Sequence, residues 1–255
     1  MRAVRLLLLL AFASGAGAQI PLAERRSGYL DMGRETQAMQ DDDAVNPATL
    51  WLLDGEALWQ RKPGAAGRSC ADCHRDAKES MKGVAARHPA FDVASGKLVN
   101  LEQRINACRV GRQQEKPLAY ESRELLALTA FVARQSRGLP IAVEASERTQ
   151  PFLDAGRAFF QRRQGQLNLA CAQCHEERAG GRLAGIVIPQ GQPTGYPIYR
   201  LEWQSLGSLH RRLRNCMLGM RAEPYALGAP EYVELEIFLM SRARGMPLET
   251  PGVRP

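Results

Sequence analysis

Two pentapeptides in this chain carry a chemistry that few others can. Cys70–Ala71–Asp72–Cys73–His74 and Cys171–Ala172–Gln173–Cys174–His175 both read C-x-x-C-H. In that pattern two thiols add across the vinyl groups of a haem, and the adjoining histidine is placed to ligate iron from one side. A single copy can arise by chance or as half of a zinc site. Two copies with similar upstream sequences point to two covalently bound c-type haems, one on Cys70 and Cys73 and one on Cys171 and Cys174. The ligand on the other face of each iron then decides between carrying electrons and doing chemistry.

Electron-carrying c-type domains use a methionine sulfur opposite the histidine. In the first half Met81 follows His74 by seven residues, too soon to reach the opposite haem face, and no methionine occurs again until Met217. Cys108 and His88 remain as candidates, ahead of lysine or asparagine. His88 precedes Pro89 in a loop and reads as an exposed histidine. Leu101, Ile105 and Cys108 recur at i, i+4, i+7, which places the thiol on the buried face of a helix. Leu206, Leu209, Leu213 and Cys216 repeat the pattern in the second half. Two packed, unreactive cysteines would show the same spacing, but the duplicated position and the missing methionine favour thiolate ligation at both haems. Met217 and Met220 keep methionine open for the second. A thiolate pushes electron density onto iron and lowers its potential, so two such haems make a poor relay to a high-potential acceptor.

Six cysteines in an exported protein ordinarily suggest three disulfides. Here four belong to the haem motifs. Cys108 and Cys216 lie 34 and 41 residues beyond His74 and His175, and equivalent positions argue for one role performed twice, not for a bridge between them.

Arginine accompanies both thiols. Arg104 and Arg212 each sit at i−4, one turn before Cys108 and Cys216. The second helix adds Arg211 and Arg214, with Arg221 shortly after. Arginine near a cysteine favours the thiolate and holds an oxyanion with forked hydrogen bonds. A basic cluster beside a sulfur nucleophile suits an inorganic sulfur oxyanion. Arg211 and Arg214 serve equally well as counter-charges to haem propionates or as a solvated face, whereas Arg212 is the functional candidate.

The elements that position these groups are also duplicated. At an offset of 101, Trp51, Leu52, Gly55, Leu58 and Trp59 fall on Phe152, Leu153, Gly156, Phe159 and Phe160, an amphipathic helix in each half. Gly55 and Gly156 are costly inside a helix unless another helix crosses closely there. Leu125, Leu128, Phe131 and Val132 match Tyr232, Leu235, Phe238 and Leu239 at an offset of 107, and both segments stop at Gly-x-Pro, at Gly138 and Gly245. Each unit therefore runs helix, haem motif, loop, cysteine helix, closing helix. No convincing period-2 strand pattern appears, so the fold class is mainly α: two tandem c-type cytochrome domains arising from an internal duplication, with an N-terminal arm. The domains are predicted at residues 49–144 and 145–255, with the boundary in the polar stretch Ala142 to Gln150. The arm, residues 19–48, carries turn signals at Asp41–Asp42–Asp43 and Asn46–Pro47 and is expected to be mostly irregular.

Residues 1–18 read as a secretory signal: Arg2 and Arg5, an apolar run from Leu6 to Phe12, and small residues ending near Ala18. That run is too short to span a bilayer, and no later stretch is long and apolar enough. Export to the periplasm agrees with covalent haem. Removing Arg2 and Arg5 lowers the net charge from +7 to about +5, which favours anionic ligands.

At this point the strings resemble a known family, SoxA, the dihaem subunit of the SoxAX cytochrome complex of bacterial thiosulfate oxidation. The resemblance spans nearly all of the mature chain. It includes Met39–Gln40–Asp41–Asp42, Leu101–Glu102–Gln103–Arg104–Ile105–Asn106–Ala107–Cys108–Arg109, Gly195–Tyr196–Pro197–Ile198–Tyr199–Arg200–Leu201, Leu209–His210–Arg211–Arg212–Leu213–Arg214–Asn215–Cys216 and Arg221–Ala222–Glu223–Pro224. The resemblance implies an L-cysteine S-thiosulfotransferase that joins thiosulfate to a cysteine on the SoxYZ carrier with loss of two electrons. By the same match His74 and Cys108 ligate the first iron, and His175 and Cys216 the second. Cys216 is then the active-site cysteine, held as a persulfide, and Arg212 engages the substrate. The implied partners are a monohaem SoxX-type subunit, SoxYZ and a downstream cytochrome c, with no nucleic acid. A pure electron-transfer dihaem cytochrome, favoured by Met217 or Met220 ligation, and a haem-based binding module are the alternatives.

Overall fold

The computed structural model describes residues 20–255; the predicted signal segment lies outside them. The arm contributes α1 (Arg34–Asp41). The first unit runs α2 (Thr49–Gln60), α3 (Cys70–His74), α4 (Ala77–Ser80), a hairpin of β1 (Ala90–Asp92) and β2 (Lys97–Val99), α5 (Leu101–Cys108) and α6 (Arg123–Arg134). The second runs α7 (Gln150–Gln161), α8 (Cys171–His175), a small hairpin of β3 (Arg182–Leu183) and β4 (Ile186–Val187), and a second hairpin of β5 (Ile198–Arg200) and β6 (Ser205–Gly207). It closes with α9 (Leu209–Gly219), α10 (Pro230–Arg242) and β7 (Gly252–Arg254).

The close crossing demanded by the two helix glycines is present. A Cβ on Gly55 would stand 2.3 Å from the Ala127 carbonyl oxygen of α6, and one on Gly156 would stand 2.0 Å from the Glu234 carbonyl oxygen of α10. Only hydrogen fits in either place, so the helix-propensity cost of glycine is repaid by backbone contact. Around these crossings Trp59, Phe131 and Val132 pack in the first unit, and Phe159, Phe160, Phe238 and Leu239 in the second.

The hairpins went unseen in the sequence because strands of three residues are too short for alternation to register. They are nevertheless part of the repeat. Ala90 pairs with Val99 and Asp92 with Lys97; Ile198 pairs with Gly207 and Arg200 with Ser205, the same register 108 residues later. Each hairpin leads directly into a capped cysteine helix, through Asn100 Oδ1 accepting from Gln103 N and Ser208 Oγ accepting from Arg211 N.

The units meet about a pseudo-twofold axis. After each closing helix the chain extends, and Pro140 bridges to Pro247, its own equivalent. Ile141 N donates to Met246 O at 2.9 Å and Leu248 N donates to Leu139 O at 2.9 Å, a symmetric pair of bonds. The largest apolar cluster draws on both units, with Val132 and Ile141 from one and Val233, Ile237, Met240 and Leu248 from the other.

The arm is more ordered than its turn signals suggest. Gln40 at the end of α1 is buried, and its Oε1 accepts from Val253 N at 2.9 Å, tying α1 to β7. β7 in turn pairs parallel with β5, Arg254 opposite Arg200, so both chain ends brace the second unit's hairpin.

Candidate functional site

Each haem motif forms a one-turn helix whose start is fixed locally. In α3, Ser69 Oγ accepts from Asp72 N at 3.0 Å while Asp72 Oδ2 accepts from Ser69 N at 2.8 Å, a reciprocal cap. In α8, Gln173 Oε1 accepts from Ala170 N at 2.9 Å, half of the same device. The residue before the second cysteine is thus used for capping in both motifs.

Each unit brings its late cysteine to its motif. Burial first, and then the neighbouring Cys108, raise the Cys70 thiol above its ordinary value. Burial and the neighbouring Cys216 push Cys171 up to about 12. Cys108 and Cys216, both half-buried, therefore each face the motif of their own unit, and all six thiols are free. The methionine candidates Met81, Met217 and Met220 are buried in the apolar clusters that pack against the motifs. His88 is not exposed. It is half-buried, its Nδ1 lies 2.8 Å from Val84 O, and it lines a cavity of about 40 Å³ between the units that no motif residue borders.

The second unit fixes its histidine firmly. His175 Nδ1 donates to Pro189 O at 2.8 Å, which leaves Nε2 with its lone pair outward, the tautomer a metal ligand requires. Burial holds the ring below its ordinary pKa, assisted by the positive charges of Arg212 and Arg242. Gly191, at φ +73°, lies against the ring, where a Cβ would come within 3.2 Å. Arg242 from α10 pins the loop beyond, with Glu176 at 3.3 Å and the Gln190 carbonyl at 3.2 Å. His74 packs at 5.8 Å from the Trp59 ring, whose Nε1 donates to Arg75 O at 3.2 Å.

The arginines separate into distinct roles. Arg211 stacks on Trp203 at 4.2 Å and faces Glu121 at 3.7 Å, while Arg214 and Arg221 are exposed. Arg212 is half-buried beside Cys216 and Tyr196; burial lowers its pKa, but Cys216, Tyr196 and Glu202 together outweigh burial and leave it above its ordinary value. Among the described residues no carboxylate or carbonyl binds its guanidinium. Its equivalent Arg104 is half exposed and paired to Asp92 at 3.2 Å. Arg200 and Tyr196, which the sequence left unassigned, also border the Arg212 site. The offset of 108 that carries His88–Pro89 onto Tyr196–Pro197 and Asp92 onto Arg200 was the signal that could have found them.

In each unit, two thiols on one helical turn, an imidazole and a third thiol form a donor set that fits a covalently bound c-type haem. The SoxA/TsdA cytochrome c domain model matches residues 54–141 and 155–248. The chain belongs to the SoxA/TsdA cytochrome c family. It is 37% identical to the L-cysteine S-thiosulfotransferase subunit SoxA of Rhodovulum sulfidophilum, covering 91% of this chain and 80% of that protein. It is 36% identical to the same-named protein of Pseudaminobacter salicylatoxidans, covering 92% and 82%. The crystal structure of SoxXA from P. pantotrophus superposes with a TM-score of 0.87 at 31% identity, covering 91% of this chain and 87% of that one. Family membership implies covalent c-type haem. Among the described residues no helix is long and apolar enough to cross a membrane.

Proposed function

We propose that this chain is the haem-bearing subunit of a periplasmic L-cysteine S-thiosulfotransferase, coupling thiosulfate to a cysteine of a SoxYZ-type carrier at Cys216. Cys70, Cys73, His74 and Cys108 would hold one haem, and Cys171, Cys174, His175 and Cys216 the other. The structural likeness to SoxXA supports a monohaem SoxX-type subunit as the partner that accepts electrons.

The observation that carries this reading is Arg212, half-buried beside Cys216, whose guanidinium makes no direct ion pair among the described residues. A guanidinium in that state attracts a dianion and offsets its repulsion from a sulfur anion. The net change, a cysteine thiolate plus thiosulfate giving a cysteine S-thiosulfonate and two electrons, forms one sulfur–sulfur bond and requires an oxidant. A c-type haem bound by His175 and Cys216 would supply a one-electron acceptor beside the reacting sulfur, and the second electron would pass to the partner subunit. Cys216 presents the sulfur at which the two partners meet, held as a persulfide. His175, neutral and fixed by the Pro189 carbonyl, would offer Nε2 to the iron in a fixed orientation.

The test is Cys216→Ala in the haem-loaded complex. Covalent haem should be retained while thiosulfate-dependent modification of the carrier collapses. Full coupling in that variant overturns the enzyme reading and leaves a plain electron carrier. Intact-protein mass spectrometry checks for one additional sulfur on Cys216.

A further inference from the structure

The two cysteine helices are equivalent, yet only one arginine at i−4 is free, and the cause lies on the neighbouring hairpin. Position 92 ends β1 and position 200 ends β5, in the same register. In the first unit Asp92 binds Arg104 at 3.2 Å and the pair is charge-neutral. In the second, the equivalent of that aspartate is Arg200, so a second cation stands where Arg104 has its counter-ion, and the nearest carboxylate, Glu202, pairs with Arg200 instead. Burial lowers the Arg200 pKa, and Arg212 is the next largest cause.

Arg200 is only partly satisfied. Its side chain is 12% exposed; Nη2 donates to Glu202 Oε2 at 3.0 Å, and the guanidinium lies 5.3 Å over the Trp203 ring. Its buried Nε has no partner. The Glu202 pair anchors one edge of the fork and leaves the other unused. Two half-buried arginines with a single, half-exposed carboxylate between them repel each other in a low-dielectric setting. The arrangement becomes favourable when a doubly charged anion sits between them.

We propose that Arg200 is a substrate-binding residue, the second half of an Arg200–Arg212 clamp that grips the sulfonate oxygens of a sulfur oxyanion beside Cys216. The inference rests on the functional reading above and deepens it. Arg212 balances charge next to the reacting sulfur, while Arg200 holds the far end of the anion. The charge reversal between Asp92 and Arg200 is what makes one of two equivalent thiol sites a substrate site.

The experiment uses the haem-loaded complex with its monohaem partner, and the variants Arg200→Gln, Arg200→Lys and Arg200→Asp. Thiosulfate binding is measured by calorimetry, and carrier coupling by kcat and KM. Arg200→Gln should weaken thiosulfate binding and raise its KM roughly ten- to hundredfold, the worth of one charge-assisted hydrogen bond, with kcat within about twofold. Arg200→Asp, which copies the first unit, should be worse, and Arg200→Lys should recover part of the loss. Unchanged binding and KM in Arg200→Gln and Arg200→Asp, with unaltered haem spectra and Tm, overturn the clamp. A wild-type complex that binds thiosulfate but does not couple it overturns the functional reading, and the binding series still decides the clamp. A wild type that binds no thiosulfate overturns the clamp as well.

Discussion

Glu102 gives the sharpest test of how the two units are joined. It lies on α5 at the axis, buried, and borders the interunit cavity with Glu236 and His88. The groups facing it are Glu236 from α10, His210 from α9, and Tyr120 and Glu121 from the segment before α6. Glu236 Oε2 already accepts from Asn100 Nδ2 at 3.1 Å and His210 Nε2 at 3.0 Å. His210 Nδ1 accepts from Gly228 N at 3.1 Å, which places the imidazole proton on Nε2. Burial, and then the Glu236 charge, raise Glu102 from its ordinary 4.5 to about 7. A carboxyl whose folded pKa is raised contributes stability that is complete below about pH 4.5 and lost as pH climbs through about 7. The displacement amounts to roughly 3 kcal/mol across that window.

Glu102→Gln keeps the shape and removes the titration. Thermal unfolding of the haem-loaded protein at pH 5 should show variant and wild type within about 1 kcal/mol, because Glu102 is then neutral in the fold. At pH 8.5 the variant should be the more stable, by up to roughly 3 kcal/mol, or about 6–12 °C in Tm for a chain of this size. Parallel pH profiles for the two proteins would refute the assignment of Glu102 as the titrating group.

Gly156→Ala should destabilise the second unit by about 1–3 kcal/mol or more, since α7 and α10 must part to admit the methyl group; a wild-type Tm by calorimetry would contradict the close crossing. Arg212→Ala should lower kcat/KM for thiosulfate roughly ten- to hundredfold with haem spectra unchanged, because a charge-assisted contact to the anion is lost; an unchanged rate removes it from the site. Arg104→Ala should leave coupling within about twofold and cost less than about 1 kcal/mol, as expected for an exposed ion pair; a large loss of coupling would place chemistry at the first unit too.

The duplication was legible because its strongest markers are chemically constrained. The C-x-x-C-H motifs, Gly55 and Gly156 at the crossings, and the Gly-x-Pro stops each allow few alternatives, so their offsets survive divergence. The pairing of Cys108 and Cys216 with their own motifs followed from the same repeat. The hairpins were not legible, since three-residue strands hold no countable period and their edges are set by tertiary contacts, β7 docking on β5 above all. The arginine cluster looked uniform in sequence. Only in three dimensions does Trp203 occupy Arg211 and solvent take Arg214, leaving Arg212 half-buried beside Cys216 without a direct ion pair.

Divergence between the units has two different causes. At the axis it is forced by packing, because a residue there meets the surroundings of its own equivalent. Glu102 corresponds to His210 and Thr129 to Glu236; two glutamates at each pair of positions would crowd four carboxylates around one small cavity, whereas a histidine donates to one of the two present. No such pressure explains position 200. Aspartate at the end of β1 satisfies its arginine at 3.2 Å, and aspartate in the same register of β5 would do the same for Arg212. Arginine there instead adds repulsion and a buried, unpartnered N–H, a cost that folding alone gives no reason to keep. An anion arriving between Arg200 and Arg212 removes both penalties at once, which ties the loss of symmetry at this pair of positions to ligand binding.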